Sequence, residues 1–277
     1  MALTDGSMRV NRNNGVTYLT FPVYDSMKNI RHCFSTRLGG VSEGIFESMN
    51  LSFGRGDSDE NVRENYRRLC AAVGFDFDGI VFSAQDHNTY VRRVGRKHRG
   101  NGIARPRDME SVDGIMTNES GVVLTTHFAD CIPLYFVDQK RHAIALSHAG
   151  WRGTAGRIGR VTVERMKEEF GTEPDDLICA IGPGVCRSCY EVDDDCAANF
   201  RALGEIDHER CIVKGQNGKP HLDLWEINRE ILIAAGVKPE KITVAGICTC
   251  CNSDELFSHR ASHGQRGGLA AMMEMID

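Results

Sequence analysis

No stretch of the chain approaches the ~20 consecutive apolar residues of a membrane-spanning helix, which argues against a membrane protein. The opening residues, MALTDGSMRVNRNNG, lack the apolar centre of a secretory leader. Positive charge is not in excess: 33 Lys and Arg stand against 38 Asp and Glu, a formal net charge of −5, which weighs against holding nucleic acid by bulk charge. No internal repeat, low-complexity tract or linker divides the 277 residues, so residues 1–277 read as one domain. The eleven cysteines are an odd number, and Cys33, Cys70, Cys179 and Cys211 sit inside apolar runs. Reduced thiols in the cytoplasm fit this better than a disulfide scaffold.

What the chain does have is an ordinary soluble composition, 41% hydrophobic and 26% charged, organised around Thr125 to Thr154, TTHFADCIPLYFVDQKRHAIALSHAGWRGT. Two short apolar runs, Ile132 to Val137 and Ala143 to Ser147, flank the polar linker Asp138 to His142, the pattern of an antiparallel hairpin. Cys131 stands just before the first strand and His148 just after the second, so the two meet at the open end. Such a pair can share a metal or act as nucleophile and base. Asp130 stands beside them as a candidate proton carrier, or as a group that orients a ligand. Buried cysteine is often plain packing. The surrounding glycines and the Trp151-Arg152 pair favour chemistry here.

Strands are expected over Val16 to Val23 and Ile30 to Ser35, followed by the loop Thr36 to Ser42, where Arg37 precedes a double glycine that lets a ligand approach the backbone. Gly56-Asp57-Ser58 should cap a helix with Val62, Tyr66, Leu69, Cys70 and Val73 on one face and Gly74 as its stop. His87 lies in a polar interruption between the strands Val81 to Ala84 and Tyr90 to Val94, as suited to an ordinary turn as to a ligand. The basic run Arg92 to Arg107 reads as a solvated loop, with a basic lid as the alternative. Val112 to Met116 and Val122 to Thr126 supply two more strands. Beyond the hairpin, Gly153 to Phe170 has helical spacing, and the glycine-rich turn at its start, with Arg152 and Arg157, suits phosphate or another anion. Helices over Val192 to Leu203 and Leu224 to Ala235 and a strand over Ile242 to Ala245 complete the chain. Cys186-x-x-Cys189 and the Cys248-Thr249-Cys250-Cys251 run would make a four-cysteine zinc site if paired. Their separation in sequence and the lack of a recognisable knuckle weigh against it.

The segments HFADCIPLYFVD, SHAGWRGT, IGPGVCRSCYEV, STRLGGVS and CTCCNSDELFSHR resemble those of the bacterial polyphenol oxidase or laccase-domain family, regarded as purine nucleoside phosphorylases with adenosine deaminase activity. The resemblance runs from about Arg37 to the C-terminus. It implies an α+β fold, one domain of mixed β-sheets in a sandwich surrounded by helices. It also implies a metal, zinc with copper as the alternative, held by His87, Cys131 and His148. Adenosine, inosine, methylthioadenosine and phosphate would be the small-molecule partners, with Asp130, Cys131 and His148 as catalytic residues and Arg37 and Arg152 as phosphate contacts. Two positions depart from the family pattern. Phe128 replaces a small or hydroxyl residue, and Gly268 replaces an arginine, with Arg266 two positions away as the substitute. A copper-dependent polyphenol oxidase is the first alternative, but ten histidines without a His-x-His pair do not suit a trinuclear copper cluster. A metal-free Cys131/His148 thiol hydrolase is the second, and it has no use for His87.

Overall fold

The computed structural model describes Leu3 and residues 6–277. Fourteen strands follow one another: β1 (Arg9–Asn13), β2 (Val16–Thr20), β3 (Ile30–Ser35), β4 (Ile80–Phe82), β5 (Val91–Arg93), β6 (Gly114–Thr117), β7 (Val123–Phe128), β8 (Ile132–Asp138), β9 (Ala143–Ala149), β10 (Ile178–Ile181), β11 (Ile212–Lys214), β12 (Pro220–Leu222), β13 (Ile242–Val244) and β14 (Leu269–Met275). They form one six-stranded mixed sheet in the order β1-β2-β3-β14-β7-β4, a second in the order β13-β10-β8-β9-β6-β5, and a two-stranded ribbon of β11 and β12.

The two large sheets pack face to face through Leu19, Phe34, Leu124, Tyr135, Ile144, Leu146 and Met273. The outer face of the first is covered by the helix Asp59–Val73 through Val62, Tyr66 and Leu69. The outer face of the second is covered by the helices Ile158–Phe170 and Leu224–Ala234 through Ile158, Met166, Ile227 and Ile231. Helix, sheet, sheet and helix thus make an α+β sandwich. Strands β8, β9 and β14 are buried at every position, which is why their sequences run apolar without alternation. Ser58 caps the first long helix by accepting the Asn61 N–H, and Gly74 ends it in the left-handed conformation, as the turn residues predict.

The expected strands and helices are present with shifted ends, and two differ in kind. The run expected to be a strand from Val16 to Val23 is β2 only to Thr20, then a short helix, Pro22–Asp25, because Pro22 at the first helical position fixes φ and offers no N–H to the ladder. The helix expected over Gly153 to Phe170 is two helices, Trp151–Ala155 and Ile158–Phe170. Arg157 between them has φ +61, and its side chain donates to both carboxylate oxygens of Glu205. The chain stops its first helix there and restarts in a new direction.

Candidate metal centre and cavity

The register of β8 on β9 pairs Ile132 with Ala149 and Pro133 with His148, so Cys131, one residue before β8, lies beside His148. His148 is inside β9 rather than beyond its end. On its other side β9 pairs with β6, and the His148 N–H donates to the carbonyl of Asp113, the residue before β6, at 2.7 Å. His87 arrives on the loop that leads into β5, the neighbour of β6. Its left-handed φ of +72 is imposed by a buried carboxylate: Asp113 accepts the backbone N–H groups of Asp86, His87 and Asn88 at 3.0, 3.1 and 3.0 Å.

Asp113 also receives His148 Nδ1 at 2.7 Å, which turns the other ring nitrogen, Nε2, toward Cys131 and His87. One ligand atom from each of His87, Cys131 and His148 lies within 4.8 Å of the other two. Gly150 closes the back of this triad. A Cβ there would stand 2.7 Å from His87 Cδ2 and 3.2 Å from Cys131 Sγ, so glycine is required by close approach rather than by φ. Phe128 leans on the imidazole of His148 with ring centroids 5.4 Å apart.

Electrostatics follow from the same contacts. Burial alone would raise the Cys131 thiol, but His148 and His87 bring it down to about 6. Burial also works against a charged His148, yet the Cys131 sulfur and the Asp113 carboxylate lift it to about 9. Asp113, its desolvation outweighed by His148 and the N–H groups of Asp86 and Asn88, is held below the usual carboxylate range. A thiolate and two imidazoles converging within ligand reach, with a carboxylate fixing one ring, fit a tetrahedral zinc whose fourth position stays open.

The triad forms one wall of a cavity of about 260 Å³ whose other walls include Ser52, Arg55, Gln85, Arg107, His127 and Arg266. Gln85 ties its amide to both backbone groups of His127 at 2.7 Å. The Tyr66 hydroxyl donates to the Leu51 carbonyl, so His127 Nε2, 2.7 Å from that hydroxyl oxygen, is the donor in the contact. Burial, reinforced by Arg107, lowers His127 to about 3 and keeps it neutral. Three guanidiniums thus face a cavity whose lining contains no carboxylate. None of the three forms an ion pair among the described residues, against the many surface arginines that do. Arg266 Nε is buried without a hydrogen-bond partner, and burial with repulsion from Arg55 lowers that guanidinium to about 10. An uncompensated buried cation on a cavity wall is the signature of a missing anion.

The structure therefore gathers His87, Cys131 and His148 but places the other expected site residues elsewhere. Arg37 donates to the Glu47 and Ser253 carbonyls, both at 2.8 Å, and stacks on Phe257, so it pins loops outside the cavity lining. Arg152 stacks on Trp151, 4.3 Å from the ring, on the far side of the five-residue helix Trp151–Ala155. A single helical turn with Arg157 committed to Glu205 offers no anion site. Asp130, expected to carry protons, has both oxygens engaged: Oδ1 accepts from the Thr249 hydroxyl and Oδ2 from the Arg260 N–H, each at 2.6 Å. It is a positioning residue for the turn that presents Cys131. The basic run Arg92 to Arg107 is mostly bound locally, Arg105 donating to the carbonyls of Arg99 and Lys97, and Arg107 alone of that run lines the cavity. Asp113 is the functional residue missed. A carboxylate inside an apolar strand pattern, SVDGIMT, was its only signal. Gly268 leaves space for Ser52, whose Oγ would lie 1.9 Å from a Cβ at that position, while Arg266 enters the cavity in place of the family's arginine.

The family described as multi-copper polyphenol oxidoreductase laccase matches residues 31–276. Purine nucleoside phosphorylase YlmD of Bacillus subtilis is 35% identical over 243 residues, 87% of each chain. Adenosine deaminase RL5, from an unidentified prokaryote, is 33% identical over 82% of this chain and 87% of its own. The crystal structure of YlmD from Geobacillus stearothermophilus superposes with a TM-score of 0.90 at 33% identity, covering 98% of this chain and all of that one. With the match extending over nearly the whole sandwich, the chain belongs to the multi-copper polyphenol oxidoreductase laccase family, among whose curated relatives are proteins named purine nucleoside phosphorylase.

Proposed function

We propose that the protein is a zinc-dependent purine nucleoside phosphorylase that cleaves adenosine, inosine and methylthioadenosine, with adenosine deamination as a side activity. The observation that carries this reading is the presence of Arg55, Arg107 and Arg266, unpaired, in the same cavity as His87, Cys131 and His148. Phosphorolysis needs a bound phosphate beside the ribose. A phosphate oxygen bonds to C1′ as the C1′–N9 bond breaks, the bonding pair leaves with the purine, and the purine gains the proton that phosphate gives up. The arginines hold and orient the phosphate dianion, and their charge replaces the hydration it loses on entering. Phe128 and the neutral His127 wall off water on the side of the first sheet. His87, Cys131 and His148 would hold the zinc, which when bound supplies Lewis-acid charge for both proposed activities.

The oxidase reading implied by the family's name finds less support. Among the described residues the other cluster of metal-ligating type is all cysteine, whereas a trinuclear copper centre is built of histidines. The expected result with adenosine and phosphate is adenine and ribose 1-phosphate with some inosine, suppressed by chelation and restored by zinc. Cys131→Ala should abolish both activities together. Arg107→Ala and Arg266→Ala should each raise the phosphate KM by about 10- to 100-fold, the worth of a charge-assisted hydrogen bond, while Arg37→Ala and Arg152→Ala leave it within about twofold. Full turnover by metal-free protein, lost in Cys131→Ala, would make the cysteine a nucleophile and overturn the zinc reading.

A further inference from the structure

On the opposite side of the Asp130 turn from the cavity, two loops remote in sequence bring four cysteines together. The sulfurs of Cys186, Cys189, Cys248 and Cys251 all lie within 4.8 Å of one another. The Cys251 sulfur is 3.9 Å from that of Cys186 and 3.5 Å from that of Cys189. A tetrahedral ion with Zn–S bonds of ≈ 2.3 Å places its sulfurs ~3.8 Å apart, so the spacing suits one mononuclear ion and is too close for an iron–sulfur cubane. The backbone is arranged to match. The N–H groups of Cys186 and Cys251 donate to Cys248 Sγ at 3.2 and 3.4 Å. The second of these closes Cys248-Thr249-Cys250-Cys251 as a knuckle, a feature the sequence did not reveal. A 3-10 turn, Arg187–Cys189, closes the other Cys-x-x-Cys. Donors aimed at sulfur favour the thiolate, and converging thiolates require a cation.

We propose that these four cysteines form a second, structural zinc site, separate from the cavity. Its place in the fold gives it a task. Gly184 and Cys248 pair as a β-bridge, the Val185 N–H donates to the Asp130 carbonyl at 2.9 Å, and Thr249, inside the second Cys-x-x-Cys, donates to Asp130 Oδ1. Zinc here clamps residues 184–189 to 248–251 and so fixes the turn that presents Cys131. With all four corners filled by sulfur, no position is open for substrate.

Metal analysis of the freshly purified full-length protein tests this independently of any enzyme activity. The expected stoichiometry is two zinc ions per chain, falling to one in His148→Ala and to one in a Cys189→Ser/Cys251→Ser variant, with Cys250→Ser and Cys196→Ser as cysteine controls that retain two. Should the double variant fail to fold, cobalt substitution of His148→Ala gives a second readout: the visible and charge-transfer spectrum of tetrahedral cobalt with four thiolates is expected. A zinc count unaltered by the cysteine substitutions, iron in the site, a disulfide between any two of the four in freshly purified protein, or a cobalt spectrum without thiolate bands would each overturn the proposal. Because the His148→Ala count reports the cavity site alone, failure of one site is distinguishable from failure of the other.

Discussion

At the scale of the residue, most of what matters is done by groups held in one protonation state. His32 accepts the Phe21 N–H on Nε2 at 2.6 Å and is packed edge-on against Tyr24 and Tyr135. Burial lowers it from 6.5 to about 3. The folded chain refuses a proton that the unfolded chain binds, so its stabilising contribution is complete above pH 6.5 and is lost as pH falls toward 3. We expect urea midpoints to drop between pH 6 and pH 5. His32→Gln, which keeps an acceptor for Phe21, should flatten the dependence by about 1.4 kcal/mol per pH unit, the linkage slope of one proton. An unaltered slope would mean that the ring is already charged in the fold. Asp113 works the opposite way, through a charge it must keep. Asp113→Asn leaves a carboxamide whose single acceptor oxygen cannot serve His148 and three loop N–H groups as well. Zinc affinity should fall by about 10- to 100-fold in competition with a chelator, with near-UV circular dichroism little altered. The sequence displayed Cys131, His148 and His87 at strand ends and in a polar interruption, where side chains converge. It did not display Asp113, because a carboxylate one residue from an apolar strand has many uses and only the register of β6 on β9 selects this one.

At the scale of the element, the hairpin β8 and β9 is the platform and the chain after it is the part that sequence pattern misjudged. Apolar runs and a polar linker are local information, and they gave the hairpin to within two residues at its ends. The break between Trp151–Ala155 and Ile158–Phe170 depends on two tertiary facts: Gly156 lies against Thr89, where a Cβ would come within 2.6 Å of Cγ2, and Arg157 is claimed by Glu205. Neither is visible in the 3.6-residue period. The four-cysteine cluster escaped for a related reason, since the β-bridge between Gly184 and Cys248 joins segments that no spacing rule connects. Gly150, at the junction of β9 and the first of these helices, is where the element geometry reaches the metal centre. Gly150→Ala has an allowed φ of −70 but forces His87 and Cys131 apart. We expect it to fold with nearly native stability and yet lose most of the zinc bound at the cavity. Normal occupancy in that variant would show that the loop carrying His87 yields easily, which the three N–H bonds to Asp113 argue against.

At the scale of the whole molecule, the cavity exists only because the two sheets are docked. Ser83, His127 and Phe128 come from the first sheet and its margins, His148 from the second, His87 and Arg107 from the loops around β5, and Arg266 from the segment entering β14. Assembling it leaves three cations facing one another without a counter-ion, a cost that the fold bears until an anion enters. Two opposite signs follow for one residue. In phosphate-free buffer, Arg266→Met keeps apolar volume while removing a desolvated charge repelled by Arg55, so its melting temperature should equal or exceed that of the wild type. Adding phosphate should then stabilise the wild type by mass action, about 2.7 kcal/mol at a hundredfold excess over its Kd, and raise its melting temperature by about 2–4 °C for each kcal/mol. The variant should gain much less and fall below the wild type. Such a crossing separates an anion site from a structural arginine, because loss of a merely structural arginine would lower stability with and without phosphate alike. Sulfate, with the same shape, should reproduce the shift, and an uncharged osmolyte should stabilise both proteins equally.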